Sequence, residues 1–405
     1  MTAPTTSSPG FAAGPARDRT PVLFRYGFRP FFLLSGIAAC GLIAAWVAVL
    51  ITGAWPAGPA GAAAWHGHEM LFGTIVAAVA GFLLTAVPSW TGTKALSGAP
   101  LAGLTVLWLA GRFVVFPWSG VPQPLAALVD LAFLPALGVA LARPLLAAGK
   151  LRNSAFLVLL ALLTLANLLI HLEWLGVVAD GIQPGVTLGL GIVLMMVTVI
   201  GGRILPAFTR NGLGAQGHRV RSWPWVERVV LASTLLLVLA EPFVPGGAAL
   251  GLLMLAAALA HAVRLAGWQG WRAWRSPILW VLHLGYLWIP AGLTLKALHH
   301  LTDIPAAAGL HALTAGAFAT LILAVMSRAS LGHTGRPLVA SSVTVAAYLL
   351  LTVAALARTA SPLLPVEWLW PALQGAGLAW VAAFALYLVA YAPVLLRPRA
   401  DGRPG

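Results

Sequence analysis

Residues 71–90 read LFGTIVAAVAGFLLTAVPSW, a run without a single charge. As a helix, twenty residues rise about 30 Å, which is the thickness of a bilayer's hydrocarbon core. The rest of the chain resembles this stretch. Of its 405 residues, 60% are hydrophobic and 8% are charged, whereas soluble proteins carry about 25% charged residues. A water-soluble fold of this size is therefore excluded. Apolar runs set apart by polar, Pro or Gly residues predict an all-α integral membrane protein of about twelve transmembrane helices. They lie near 31–53, 67–90, 99–118, 123–146, 154–177, 184–206, 224–244, 248–267, 276–298, 308–328, 338–358 and 367–396.

The sequence divides into a disordered tail over 1–20, rich in Pro, Gly, Ser and Thr, one polytopic domain over 21–398, and a short tail over 399–405. No cleavable leader is evident, so the first apolar run is expected to be retained. The single cysteine, Cys40, lies in that run and excludes an intramolecular disulfide.

Net charge is +14. On a soluble protein this would suggest nucleic acid; here its placement reads as membrane orientation, and no nucleic-acid partner is expected. With the N-terminus in the cytoplasm, all of the 24 Lys and Arg residues except Arg112, Lys296 and Arg358 fall on the cytoplasmic side. Cytoplasmic loops are enriched in basic residues, so both termini are expected there.

The same arrangement sorts the histidines. Just before the opening stretch stands WHGHEM, residues 65–70, at the outer end of the second span. His171 closes the fifth span, His299 and His300 follow the ninth, and His311 opens the tenth. Glu69, Glu173 and Asp303 accompany them. Neutral imidazole is a good ligand for transition metals and haem iron, a neighbouring carboxylate fixes its tautomer, and ionisable groups in a membrane point by default to function. The candidate cofactor-binding residues are His66, His68 and His311; the candidate metal ligands are His66, His68, His171 and Glu69. An ordinary loop role remains open for His299 and His300. Helical positions i and i+2 lie about 200° apart. A helix that starts at or before His66 therefore sends His66 and His68 to different partners and turns His66 towards Glu69. A helix that starts at Gly67 or later lets both reach one centre.

Two basic segments, 201–212 and 328–336, make Arg203, Arg210, Arg328 and Arg336 candidate contacts for an anion or a haem propionate. Helix-end dipoles and lipid headgroups account for the same charges. Pro88, Pro135, Pro206 and Pro290 are candidate helix breaks.

Five segments in order resemble the NnrS family of bacterial membrane proteins: RYGFRPFFLLSG (25–36), WHGHEMLFG (65–73), GFLLTAVPSWTG (81–92), GRILPAFTRNGL (202–213) and HALTAGAFATLILAVMSRASLGHTGRPL (311–338). Ser89 departs from a common Asn, and Leu205-Pro206-Ala207-Phe208 from a more aromatic Pro-Phe-Phe. The resemblance implies a protein of the bacterial inner membrane that contains haem and copper. It also implies a link to nitric oxide metabolism in denitrifying or nitrosatively stressed cells, through protection, sensing or turnover. It implies nitric oxide and the lipid bilayer as partners and names no electron donor. Histidines on the second and tenth of twelve helices are also similar to the bundle of the haem–copper oxidase catalytic subunit, where those helices clasp a haem. That family's copper site needs histidines on helices six and seven, which have none here. The alternatives are a transporter or metal-delivery protein, marked by discontinuous helices and mid-membrane polar groups, and an assembly partner without cofactors.

Overall fold

The computed structural model describes residues 20–56, 60–149, 151–244 and 246–403. The tail expected to be disordered lies, except for Thr20, outside them. Twelve main helices follow in chain order. They are α1 (Phe28–Thr52), α2 (Ala62–Thr91), α3 (Ala99–Val115), α4 (Gln123–Ala147), α5 (Leu151–Trp174) and α6 (Ile182–Leu213). Then come α7 (Pro224–Ala240), α8 (Ala248–Gly267), α9 (Pro277–Leu301), α10 (Ala306–His333), α11 (Ser342–Ala360) and α12 (Val366–Leu396). Ten of these segments are long and apolar enough to cross a membrane. The other two, α3 and α7, have 17 residues each and rise about 25 Å, the short limit for a span. The chain is an all-α, multi-pass membrane protein.

Helices are the natural answer to this composition. Lipid offers no partner for a free backbone N–H or C=O, and a helix satisfies both within itself. Proline opens α3, α4, α7 and α9, where the missing N–H costs nothing. Gly53 and Gly92, at φ 67° and 72°, close α1 and α2 in the left-handed conformation. Pro88, Pro206 and Pro290 lie inside helices that continue past them. Pro135 does mark an interruption. It lacks the N–H that would bond the carbonyl of Leu131, and α4 pauses at Ala132, two residues after Asp130.

Successive helices pack as neighbours, and α12 returns to α1. That closure is polar as well as apolar. Nη1 of the buried Arg29 donates to the carbonyls of Leu395 at 2.7 Å and Arg397 at 2.9 Å, capping the last helix from the first. Trp380 Nε1 donates to Ala39 O at 2.9 Å.

Two helices change pitch. From Glu69 to Ile75 α2 is a π-helix, and from Ala312 to Phe318 so is α10. Each π segment begins directly after a histidine, His68 or His311. Such widened turns recur at functional sites.

Candidate functional sites around the two histidines of helix α2

Helix α2 begins at Ala62, four residues before His66. The condition left open by the sequence is thus decided: both histidines are helical, and their side chains diverge. One expectation needs correction. Glu69 lies beside His68, not His66, with Oε1 3.0 Å from His68 Nδ1. A π turn holds more residues than an α turn, so each residue from Glu69 onward rotates less. The Arg112 guanidinium, bonded to Glu69 Oε1, holds the carboxylate on that side.

His68 enters a closed cluster built from α2, α3, α4 and α5. Its Nε2 is 2.9 Å from Asn167 Oδ1 and 3.2 Å from Asp130 Oδ2. Asn167 Nδ2 donates to Asp130 Oδ2 at 2.8 Å, and His171 Nε2 is 2.9 Å from the same oxygen. Arg112 forms ion pairs with both Glu69 and Asp130. Asn167, His171 and Trp174 are four and three residues apart on α5, so they share a face; the Trp174 ring closes over both histidines at 5.0 and 5.2 Å. Gly111 lets α3 pass this point, since a Cβ there would stand 2.9 Å from Asp130 Oδ1. All of these groups except Arg112 are buried. Two carboxylates against one guanidinium leave room for one further positive charge, which an imidazolium or a metal ion can supply.

His68, Asp130 and His171 each offer one ligand atom, and these atoms lie within 4.8 Å of one another. Two imidazole nitrogens and a carboxylate oxygen suit a borderline divalent metal, copper(II) included. Glu69 on His68 Nδ1 is the outer carboxylate that orients such a ligand. His171 Nδ1 is buried with no hydrogen-bond partner among the described residues.

His66 turns the other way, into a cavity of about 490 Å³ between α1, α2, α6, α10, α11 and α12. His311 lines the same cavity, as do Trp46, Gln183 and Arg358. The His66 ring stacks on Trp46 at 4.5 Å. His311 Nδ1 donates to the carbonyl of Ala307, one turn back, at 2.8 Å, which makes its Nε2 the lone-pair nitrogen. Both π segments supply wall residues, Met70 and Thr74 from one and Thr314 and Ala315 from the other. Apart from those polar groups the walls are chiefly apolar, and the volume falls in the ordinary range of small-molecule and cofactor sites.

The structure therefore separates the sequence candidates into two pairs. His68, with Glu69, joins His171; His66 joins His311. His68 is not a wall of the cavity. The four arginine candidates stand elsewhere. Arg203 donates to Asn153 Oδ1 at 3.2 Å and lies over Trp90, Arg328 lies over Phe208 at 4.1 Å, Arg336 turns to Thr334 O, and Arg210 is exposed. Glu173 caps α6 through the N–H groups of Gly181 and Ile182, both at 2.7 Å.

Sequence reasoning missed Asp130, Arg112, Asn167 and Arg358. A signal for three of them was present. Arg112 and Arg358 are two of the three basic residues that break the charge bias, and Asp130 is an acid inside a span. The third exception, Lys296, pairs with Glu241. Asn167 carried no signal.

The family described as NnrS protein matches residues 22–399, nearly the whole chain. The chain belongs to the NnrS family. No curated protein matches it. In this NnrS protein, WHGHEM is thus the point where one helix serves two separate sites, one polar and one chiefly apolar.

Proposed function

We propose that this NnrS protein binds haem and copper and serves the nitric oxide response. It would bind or turn over the gas, or limit its damage to cellular iron. Family membership supports the link to nitric oxide. The observation that carries the cofactor reading is the shared cavity: imidazoles from α2 and α10 face one chamber of about 490 Å³. Histidine is a common haem ligand, and the lining fits the group. His66 and His311 would hold it, with Trp46 fixing the plane of one ring and the Ala307 carbonyl fixing the tautomer of the other. Arg358, whose Nη1 also donates to Ser361 Oγ at 3.1 Å, offers a cation to a propionate. The apolar walls keep bulk water from the bound group. Copper would be held by His68 and His171 with Asp130, in place of the protons now shared among them, and Arg112 would balance the remaining carboxylate charge. When bound, the haem would supply an iron that takes up nitric oxide where one of the two imidazoles gives way, and the copper a redox-active ion.

Both sites lie at the end of the bundle opposite most of the basic residues. We place that end towards the periplasm, with both termini in the cytoplasm, in the inner membrane of a bacterium. Reporter fusions at residues 120 and 302 against 97 and 220 test the orientation.

The described residues give the transporter alternative little support, since the spans remain helical through their lengths except for the one-residue pause at Ala132. Metal analysis with optical and EPR spectra of the purified protein tests the main reading. Haem absorbance lost in His66→Ala and His311→Ala, and a copper signal lost in His68→Ala and His171→Ala, is the expected result. A colourless, metal-free preparation that still protects cells from nitric oxide sinks it.

A further inference from the structure

A second chamber lies beside the first. It has a volume of about 90 Å³ and is walled by Phe32, Ala78, Val193, Met196, Phe318 and Met326 among others, from α1, α2, α6 and α10. Every lining side chain is apolar: aliphatic, phenyl or thioether. The neighbouring backbone is helical and bonded within itself. It opens on one side, where Val79, Phe82, Ile200 and Val325 are only half-buried; a water molecule needs two to four polar partners and finds none among these side chains, whereas an apolar guest such as xenon needs none.

The two chambers share walls. Ile75 and Ile322 line both. Ile75 is the last residue of the α2 π segment, and Ile322 lies four residues after the end of the α10 π segment. The side chains of these two isoleucines thus belong to the walls of both the apolar chamber and the His66–His311 cavity. By contrast, the polar cluster around Asp130 supplies no wall to either partition residue's chamber.

We propose that this chamber binds a small apolar gas and passes it to the larger cavity across Ile75 and Ile322. Size selects the guest: the chamber suits a monatomic or diatomic gas and not a headgroup. Chemistry selects it too, since an uncharged, weakly hydrated gas gives up little on leaving water or lipid, whereas an ion or a polar solute would lose its hydration with no replacement. That the natural guest is nitric oxide rests on the proposed function; that the chamber takes an apolar gas does not.

Crystals of the full chain pressurised with xenon give the first test. Xenon is expected between Phe32, Val193 and Phe318, and it is expected to be lost in Ala78→Leu, which fills the space. Density for a lipid chain, ordered water, or no xenon in the wild-type protein overturns the proposal without any variant having to fold. Rebinding of carbon monoxide after a light flash tests the passage in haem-loaded protein. Ala78→Leu, at a residue that lines only the smaller chamber, is expected to slow rebinding without moving the haem absorption band; an unchanged rate overturns the passage. Xenon bound in protein that never takes up haem leaves the chamber standing and defeats the haem reading instead.

Discussion

His66 and His68 are two residues apart, yet they stand in opposite kinds of environment. The site around His68 is tight and ion-paired: each polar atom of His68, Asp130 and Asn167 that faces inward meets another at hydrogen-bond distance. The site around His66 is roomy and mostly apolar, with aromatic stacking on one histidine and a backbone bond on the other. The difference teaches that a polar motif in a membrane helix need not be one site. A turn of about 200° between i and i+2 sends one histidine to α3, α4 and α5 and the other to α10 and α11. The first environment resists change because its charges depend on each other. The second can change its occupant without disturbing the fold.

The sharpest way to break this comparison is to remove the ion pairing. Arg112→Ala leaves Glu69 and Asp130 buried without their guanidinium, and losing one partner of a buried pair costs about 3–5 kcal/mol. A large fall in the thermal unfolding midpoint in detergent is expected. A midpoint near that of the wild-type protein would show that the cluster is not a structural lock. Arg358→Ala, on the roomy side, is expected to leave the midpoint close to wild type and to weaken haem retention.

His66→Ala and His311→Ala are expected to abolish the visible haem band while the protein elutes as wild type on gel filtration. The double variant should lose nothing further, because both act on one bound group. If either single variant instead removes a copper EPR signal and leaves the haem band, the division into two sites fails. A smaller effect is expected at Glu69. Glu69→Gln keeps the shape and removes the carboxylate that orients His68, so copper affinity should fall by roughly 10- to 100-fold, as for other outer-sphere partners. Titration followed by EPR measures it.

Gly67→Ala separates the two sites more gently. A Cβ at Gly67 meets nothing within 4 Å, and the residue sits inside a helix rather than at a bend. Alanine there is expected to stabilise the protein by about 0.5–1 kcal/mol and to preserve both cofactor signals. Loss of either signal would mean that the motif has to flex. The smallest effect belongs to the pair of half-buried Arg399 and exposed Asp401 near the C-terminus. Arg399 holds the Asp401 carboxyl down at about 2, so any contribution is complete above the ordinary carboxylate value of about 3.9 and fades as pH falls through about 2. Between about pH 5 and 8 Asp401→Asn should leave the shape of the pH–stability curve unchanged, and an exposed pair in water adds little to begin with.

The membrane fold was legible because lipid leaves few choices. Long apolar runs must be helices, and the basic residues between them carry a bias that a wrong count would scramble. The histidines at one end were legible for the same reason, since polar groups at the ends of apolar helices stand out. Their partners were not. Asn167 is an unremarkable residue within α5, and only the packing of α5 against α2 brings its Oδ1 to His68. Arg112 and Arg358 looked like mere exceptions to the charge bias until the structure supplied a pair of carboxylates for one and a cavity for the other. The four arginines of 201–212 and 328–336 drew attention by their density, but density along the chain does not measure distance to a cavity.

By itself the sequence determined the solvent, the helices and the end of the bundle at which the polar chemistry gathers, because each follows from hydrophobicity and spacing along one chain. The i, i+2 spacing already favoured separate duties for the two histidines of WHGHEM; tertiary structure alone decided the partners, with His66 facing His311 and His68 facing Asp130 and His171. The physical reason is that helical phase, the onset of a π turn at Glu69 and the arrival of neighbouring helices act together on each side chain, and only the last two are set by contacts far away in the sequence.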